Sequence, residues 1–173
     1  MVRTAVPAAL KIMLHPLQVG WKREYDEIVV CNKVMALDRG GRSRGAVQVK
    51  VTRGLTLHCD LLLSNNLEVN WLGNKFHMTE HLQTVSCTDD PNIIQAPPPA
   101  PLDTMVGVGT GRYNGVAGYT IEFTLVDAGE PGGSDQAALK IFQASNPSNV
   151  VLEIPLQQIS GGNLQAHYDQ PHK

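Results

Sequence analysis

Three patterns predict an all-β protein, an antiparallel β-sandwich of Ig-like or jelly-roll-like type with an N-terminal arm. In the first, Tyr119, Ile121, Phe123 and Leu125 alternate with Thr120, Glu122, Thr124 and Val126. Period-two alternation of aromatic and β-branched residues marks a strand with one buried face. In the second, Asn114-Gly115 sits just before that strand, and this dipeptide favours the type I′ hairpin turn, whose central residues both need positive φ. Third, short alternating segments recur between turn residues from about Ala46 onward. That spacing suits two layers of extended segments.

Taken in order, residues 4–19 read as a short helix ending at His15, since Pro16 would break it. Residues 26–37, with Ile28, Val29, Val30, Val34 and Met35, read as one strand or two short ones. The basic, glycine-rich run 39–45 is a flexible connector, dividing an arm (1–45) from a sandwich domain (46–173). Val47, Val49 and Val51 alternate with polar residues, Arg53-Gly54 reads as a turn, and Leu55, Leu57 and Cys59 resume the pattern. Leu67, Val69 and Trp71 follow, and Gly73-Asn74 turns into a strand from Phe76 to Cys87. The proline-rich run 96–101 has polyproline II character and crosses rather than pairs. Strands then follow over 137–142, 150–154 and 163–167, punctuated by Asn146-Pro147 and Gly161-Gly162.

The 173 residues suffice for a real core. No apolar run reaches the roughly 18 residues of a membrane-spanning helix. The net charge of −2 conceals a split: residues 1–54 carry +6 and the remainder −8. Such asymmetry suggests a basic arm docking on an acidic body, within or between copies. Nucleic acid is the lesser reading, because the basic residues lack the interleaved aromatics of single-strand binders. Near the N-terminus, Lys11, His15 and Pro16 interrupt the apolar stretch after Arg3, which makes a poor signal peptide.

Cys31, Cys59 and Cys87 show no CxxC spacing, which argues against zinc and thioredoxin-like chemistry. Two readings stay open: a Cys59–Cys87 disulfide in an exported protein, with Cys31 left odd, or three reduced thiols. Gly41-Arg42-Ser43-Arg44-Gly45 spells G-x-S-x-G, but a nucleophilic serine needs a hydrophobic strand before it and a helix after it. Charged residues flank this serine and β-pattern follows, so a linker is expected and no catalytic residue is assigned. Gly107-x-Gly109-x-Gly111 opens a hairpin rather than a helix. These glycines therefore read as places of close approach by a strand or an aromatic ring, not as a phosphate cradle.

Asp127, Glu130 and Asp135 crowd one glycine-rich turn. Carboxylates and loop carbonyls are what Ca²⁺ prefers, so these three are candidate metal ligands. The plainer reading is a solvated acidic turn in which Asp127 accepts local backbone N–H groups. Asp89, Asp90 and Asn92 form a second, weaker acidic turn. His77 and His81 would share a strand face about 13 Å apart, too far to hold one ion. Trp21, Trp71, Tyr113 and Tyr119 are expected to fill core or interface rather than form a sugar platform.

The stretches Gly109-Thr110-Gly111-Arg112-Tyr113-Asn114-Gly115-Val116, Asp127-Ala128-Gly129-Glu130-Pro131-Gly132 and Gly161-Gly162-Asn163-Leu164-Gln165-Ala166-His167 carry a resemblance. Together they resemble an uncharacterised β-rich module found at or near the C-terminal end of bacterial secreted and cell-surface proteins. The likeness spans roughly residues 46–167. It implies an exported, non-catalytic β-sandwich with Cys59 and Cys87 paired.

The expected function is therefore a non-catalytic extracellular structural or interaction protein. It would be secreted or on the cell surface, assembling with copies of itself or anchored among other surface proteins. The alternative is a Ca²⁺-dependent module binding carbohydrate or another surface ligand. Neither nucleic acid nor a membrane span enters the expectation.

Overall fold

Eleven strands hydrogen-bond into one antiparallel sheet in the computed structural model of the chain. It describes residues 19–30, 35–37, 39–41, 43–44, 49–94, 102–129 and 133–168. The strands are β1 (Val19–Val30), β2 (Met35–Leu37), β3 (Ser43–Arg44), β4 (Val49–His58), β5 (Asn66–Trp71) and β6 (Asn74–Thr88). They continue with β7 (Thr104–Tyr113), β8 (Val116–Val126), β9 (Gln136–Gln143), β10 (Asn146–Gln158) and β11 (Ala166–Tyr168). Across the sheet the order is β11-β1-β4-β5-β6-β7-β8-β9-β10-β2-β3. From β4 to β10 each strand pairs with the next in sequence, as consecutive antiparallel strands usually do.

The all-β, antiparallel expectation holds, and no helix occurs among the described residues. The arrangement differs from two stacked layers in that one sheet curls into a half-barrel. Alternation along each strand sends one row inward: Val49, Val51, Leu55 and Leu57 from β4, then Ile121, Phe123 and Leu125 from β8. Leu139 and Ile141 of β9 and Leu152 and Ile154 of β10 belong to the same buried cluster. A flat sheet would leave that face wet, whereas curling brings the rows of distant strands together. Each large side chain so buried contributes about 1.5–3 kcal/mol.

Of the segment 1–45, expected as an arm, the described portions over 19–30, 35–37 and 43–44 are strands of this same sheet. The short helix expected before Pro16 and the proline-rich run lie outside the described residues, as does Cys31. Ser43 belongs to β3, paired antiparallel with β2. The strand-to-helix elbow that would activate a serine is thus missing among the described residues.

Arg53-Gly54 is not a turn, because β4 runs unbroken through it. The buried positions 49, 51, 53, 55 and 57 share one parity, so continuing the strand keeps every apolar side chain inside. The cost is a buried Arg53 in the inward row, directly opposite Asp26 of β1 in the register. The Asn114-Gly115 turn falls as expected, whereas the turn expected at Gly73-Asn74 lies one residue earlier. Asn146-Pro147 belongs to β10, the turn before it being at residues 144–145. Asn114 and Gly115 have φ of 50° and 84° and join β7 to β8, and Leu72-Gly73, at 44° and 76°, joins β5 to β6.

Gly107, Gly109 and Gly111 face inward along β7, and each is required by what lies against it. A β-carbon at Gly107 would meet the Phe123 ring, and one at Gly109 the Met78 sulfur. At Gly111 it would meet the His77 backbone carbonyl. The close approach expected of these glycines is what the structure has. Register shifts between His77 and His81 and between Leu82 and Thr84 bend β6 at the same place. Bulges opposite a glycine row are how a sheet gains local curvature.

Candidate functional site

The ends of β7 are about 30 Å apart by strand rise, and each carries a buried polar centre. At the β7 start, Asp103 is fully buried, accepting from the Asp90 N–H (2.9 Å) and the Thr104 hydroxyl (2.7 Å). The backbone N–H of Asp127 in turn donates to the Asp103 carbonyl at 2.8 Å. Asp127 and Asp135 are buried as well, since both flank the loop that links β8 to β9.

Backbone N–H groups surround these carboxylates. Asp127 Oδ1 accepts from Gly129 N–H at 2.8 Å, and Oδ2 from Ala166 N–H at 2.7 Å. Asp135 Oδ1 accepts from Ala128 N–H at 3.0 Å, and Oδ2 from Leu164 N–H at 2.6 Å. The Asp135 carbonyl also accepts from Ile159 N–H at 2.9 Å. A buried carboxylate with charge-assisted bonds to both oxygens is a structural clamp, and a strong one. This clamp fastens the tail around 159–166 to the loop between β8 and β9.

Of the three candidate Ca²⁺ ligands, the structure therefore has Asp127 and Asp135 each accepting from one backbone N–H of the same loop and one of the same tail, while Glu130 lies outside the described residues. Asp127 bonding local backbone N–H groups agrees with the plainer reading, although its burial does not. Among the described residues, no three His, Cys, Asp or Glu side chains gather as a metal-holding group. Asp90 forms the second acidic turn: its Oδ1 accepts from the Asn92 N–H at 2.9 Å and the Asn92 amide at 2.8 Å. Those two bonds hold its carboxyl below the usual range.

Cys59 and Cys87 form a disulfide beyond the start of β5, with their α-carbons 6.0 Å apart. The reason lies in strand length. β5 begins only at Asn66, opposite Thr56, so the ends of β4 and β6 lack a strand between them. The bridge spans that gap and anchors the loop over residues 60–65. Leu62 N–H donates to Asp60 Oδ1 at 2.8 Å, and the Asn65 amide donates to the carbonyls of Asp60 and Leu63. Asn65 Oδ1 accepts from His58 N–H at 2.6 Å. Held this way, the tip presents Leu62 at 93% exposure and Leu61 at 47%.

At the far end of β7, Asn74 is 2% exposed and joins three segments. Its amide nitrogen donates to the Leu37 carbonyl at 2.7 Å. Its oxygen accepts from the Tyr113 hydroxyl and the Asn114 amide, both at 2.9 Å. Asn114 also exchanges hydrogen bonds with the Lys75 backbone, through its N–H and its side-chain oxygen. Beneath this hub Trp71 stacks on Tyr113, and Tyr113 tilts against Tyr119. These three aromatics fill the core margin, as expected, and a sugar could not stack on buried Trp71. Asp103 and Asn74 were not among the sequence candidates, because a lone Asp or Asn beside a strand reads as ordinary turn chemistry.

The chain matches no family model, no curated protein and no solved structure.

Proposed function

We propose that the chain is a non-catalytic interaction module of an exported or cell-surface protein. It would associate, with copies of itself or with another surface protein, through the loop between β4 and β5. The observation that carries this reading is the presentation of Leu62. A lone exposed leucine is unremarkable on a protein surface, but this one tops a tip fixed by a disulfide, by the Leu62 N–H bond to Asp60 and by bonds from the Asn65 amide. A preordered apolar anchor loses little conformational freedom on binding, and that raises affinity for a given contact area. Leu61, beside it on the tip at 47% exposure, adds a second apolar group. The disulfide supports an oxidising compartment. Among the described residues no helix is long and apolar enough to cross a membrane.

Sedimentation velocity of the full chain and its Leu62→Asp variant tests the self-associating form of this proposal. The chain should form a dimer or larger species that the variant loses while melting at the same temperature. A full chain that stays monomeric at high concentration rejects self-association through this tip.

A further inference from the structure

Beyond residue 54 the chain carries only four Lys or Arg against twelve Asp or Glu. Two of those four, Lys75 and Arg112, meet Arg39 at one cleft of about 400 Å³, at the Asn74 end of the sheet. His77, Thr79 and Asn114 complete the polar lining, and among the described residues no carboxylate is part of it. Bringing two of those four cations together with Arg39 in one concavity favours a positive potential there.

The cleft is also built from beneath. Arg39 comes from the β2–β3 turn, and the hydrogen bond from Asn74 to the Leu37 carbonyl holds that segment beside the β5–β6 turn. The Arg39 side chain passes over Gly73, its Cδ 4.0 Å from where a β-carbon would sit. Arg112 donates through Nη1 to the Gly115 carbonyl at 3.1 Å, which fixes its guanidinium against the β7–β8 turn. Lys75 pairs with Glu68. Neither Arg39 nor Arg112 has a carboxylate partner among the described residues. Two guanidinium forks, that of Arg112 fixed by its bond to Gly115, beside amide and hydroxyl donors suit a planar or tetrahedral oxyanion, which Arg engages through paired N–H groups.

We propose that this cleft binds an oxyanion group (sulfate, phosphate or carboxylate), either as a free ion or carried on a saccharide chain. It adjoins the groove beneath the leucine tip, with His77 and Thr79 lining both, but it uses neither Leu61 nor Leu62 and stands whether or not the chain self-associates. The volume lies at the lower end of ordinary ligand pockets.

Calorimetric titration at low ionic strength tests the site, using sodium sulfate, sodium phosphate and a sulfated uronic-acid tetrasaccharide, with a neutral tetrasaccharide as control. At least one anionic probe should bind, with affinity falling as salt rises, and the neutral sugar should not. Binding of the inorganic ions alone identifies a free-ion site. A clear preference for the tetrasaccharide identifies a saccharide-borne group. Arg39→Gln combined with Arg112→Gln should weaken binding at least about tenfold. Lys140→Gln should leave it unchanged, because that ammonium sits over the Phe142 ring, outside the cleft. Both arginines are exposed, so all variants should melt with the parent. Absence of binding by every anionic probe overturns the proposal, as does an equal loss in Lys140→Gln.

Discussion

Asp127 accepts a hydrogen bond from the backbone N–H of Ala166, 39 residues further along the chain, at 2.7 Å. Asp135 does the same for Leu164, 29 residues on. The acidic loop and the glycine-led tail are therefore two halves of one device: the loop supplies buried acceptors and the tail supplies donors. Without it, the segment between β10 and β11 would have to satisfy those N–H groups elsewhere.

Replacing Asp135 by Ala should cost about 2–5 kcal/mol, since it leaves the N–H groups of Ala128 and Leu164 without their acceptor. Asp135→Asn should recover only part of the loss, as an amide offers one acceptor oxygen where the carboxylate offers two. Urea denaturation of both variants measures this. Because the carboxylate oxygens already accept backbone N–H groups, adding Ca²⁺ or a chelator should not shift the melting temperature. A rise of several degrees with Ca²⁺ would show that an ion, with Glu130, completes the loop.

Gly111→Ala should be the most damaging of the three β7 glycine substitutions, at about 3 kcal/mol or more. The β-carbon would meet the His77 backbone, which can yield only by shifting β6. At Gly109 the obstacle is the Met78 sulfur, the end of a flexible side chain that can swing aside. Thermal melts of the two variants should rank in that order, and equal losses would mean that β6 moves freely.

What was legible in the sequence is what local geometry dictates. The turn at Asn114-Gly115 and the buried row from Tyr119 to Leu125 need only positive φ and parity. Arg53-Gly54 misleads because its turn-like composition outweighs the shared parity of Val49, Val51, Leu55 and Leu57, which Arg53 itself obscures. The curl was hidden for a different reason. Alternation says that one face is buried but not whether a second sheet or the same sheet covers it. The clamp was half visible, since its acceptors are side chains while its donors at Leu164 and Ala166 are backbone groups common to any residue. Arg39 could not be placed beside Arg112 without knowing the bond from Asn74 to Leu37.

Glu68 gives a pH dependence of definite sign. A hydrogen bond from Lys75, then one from the Asn70 amide, holds its carboxyl below the ordinary glutamate value. A lowered folded-state pKa contributes stability that is present above the unfolded pKa and lost as pH falls through the folded one. The Lys75 ammonium is more than half exposed, so the contribution is below about 1 kcal/mol. Chemical denaturation should show the parent more stable than Glu68→Gln near about pH 6, with the gap closing below about pH 4. A gap that widens on acidification would reverse the assignment.

Reduction should expose how much the curl depends on the covalent link between β4 and β6. Cys59 and Cys87 close a loop with a sequence separation of 28, and restricting the unfolded chain that way stabilises by about 3.5 kcal/mol in the chain-entropy account. For a chain of this length such a loss lowers the melting temperature by about 10 °C. Cys59→Ser with Cys87→Ser should match the reduced parent. The effect should also reach the leucine tip: with its base released, amide exchange at Leu61 to Leu63 should accelerate more than in β8, whose pairing with β7 and β9 is independent of the bridge. Uniform acceleration across the sheet would mean instead that the disulfide holds up the whole half-barrel.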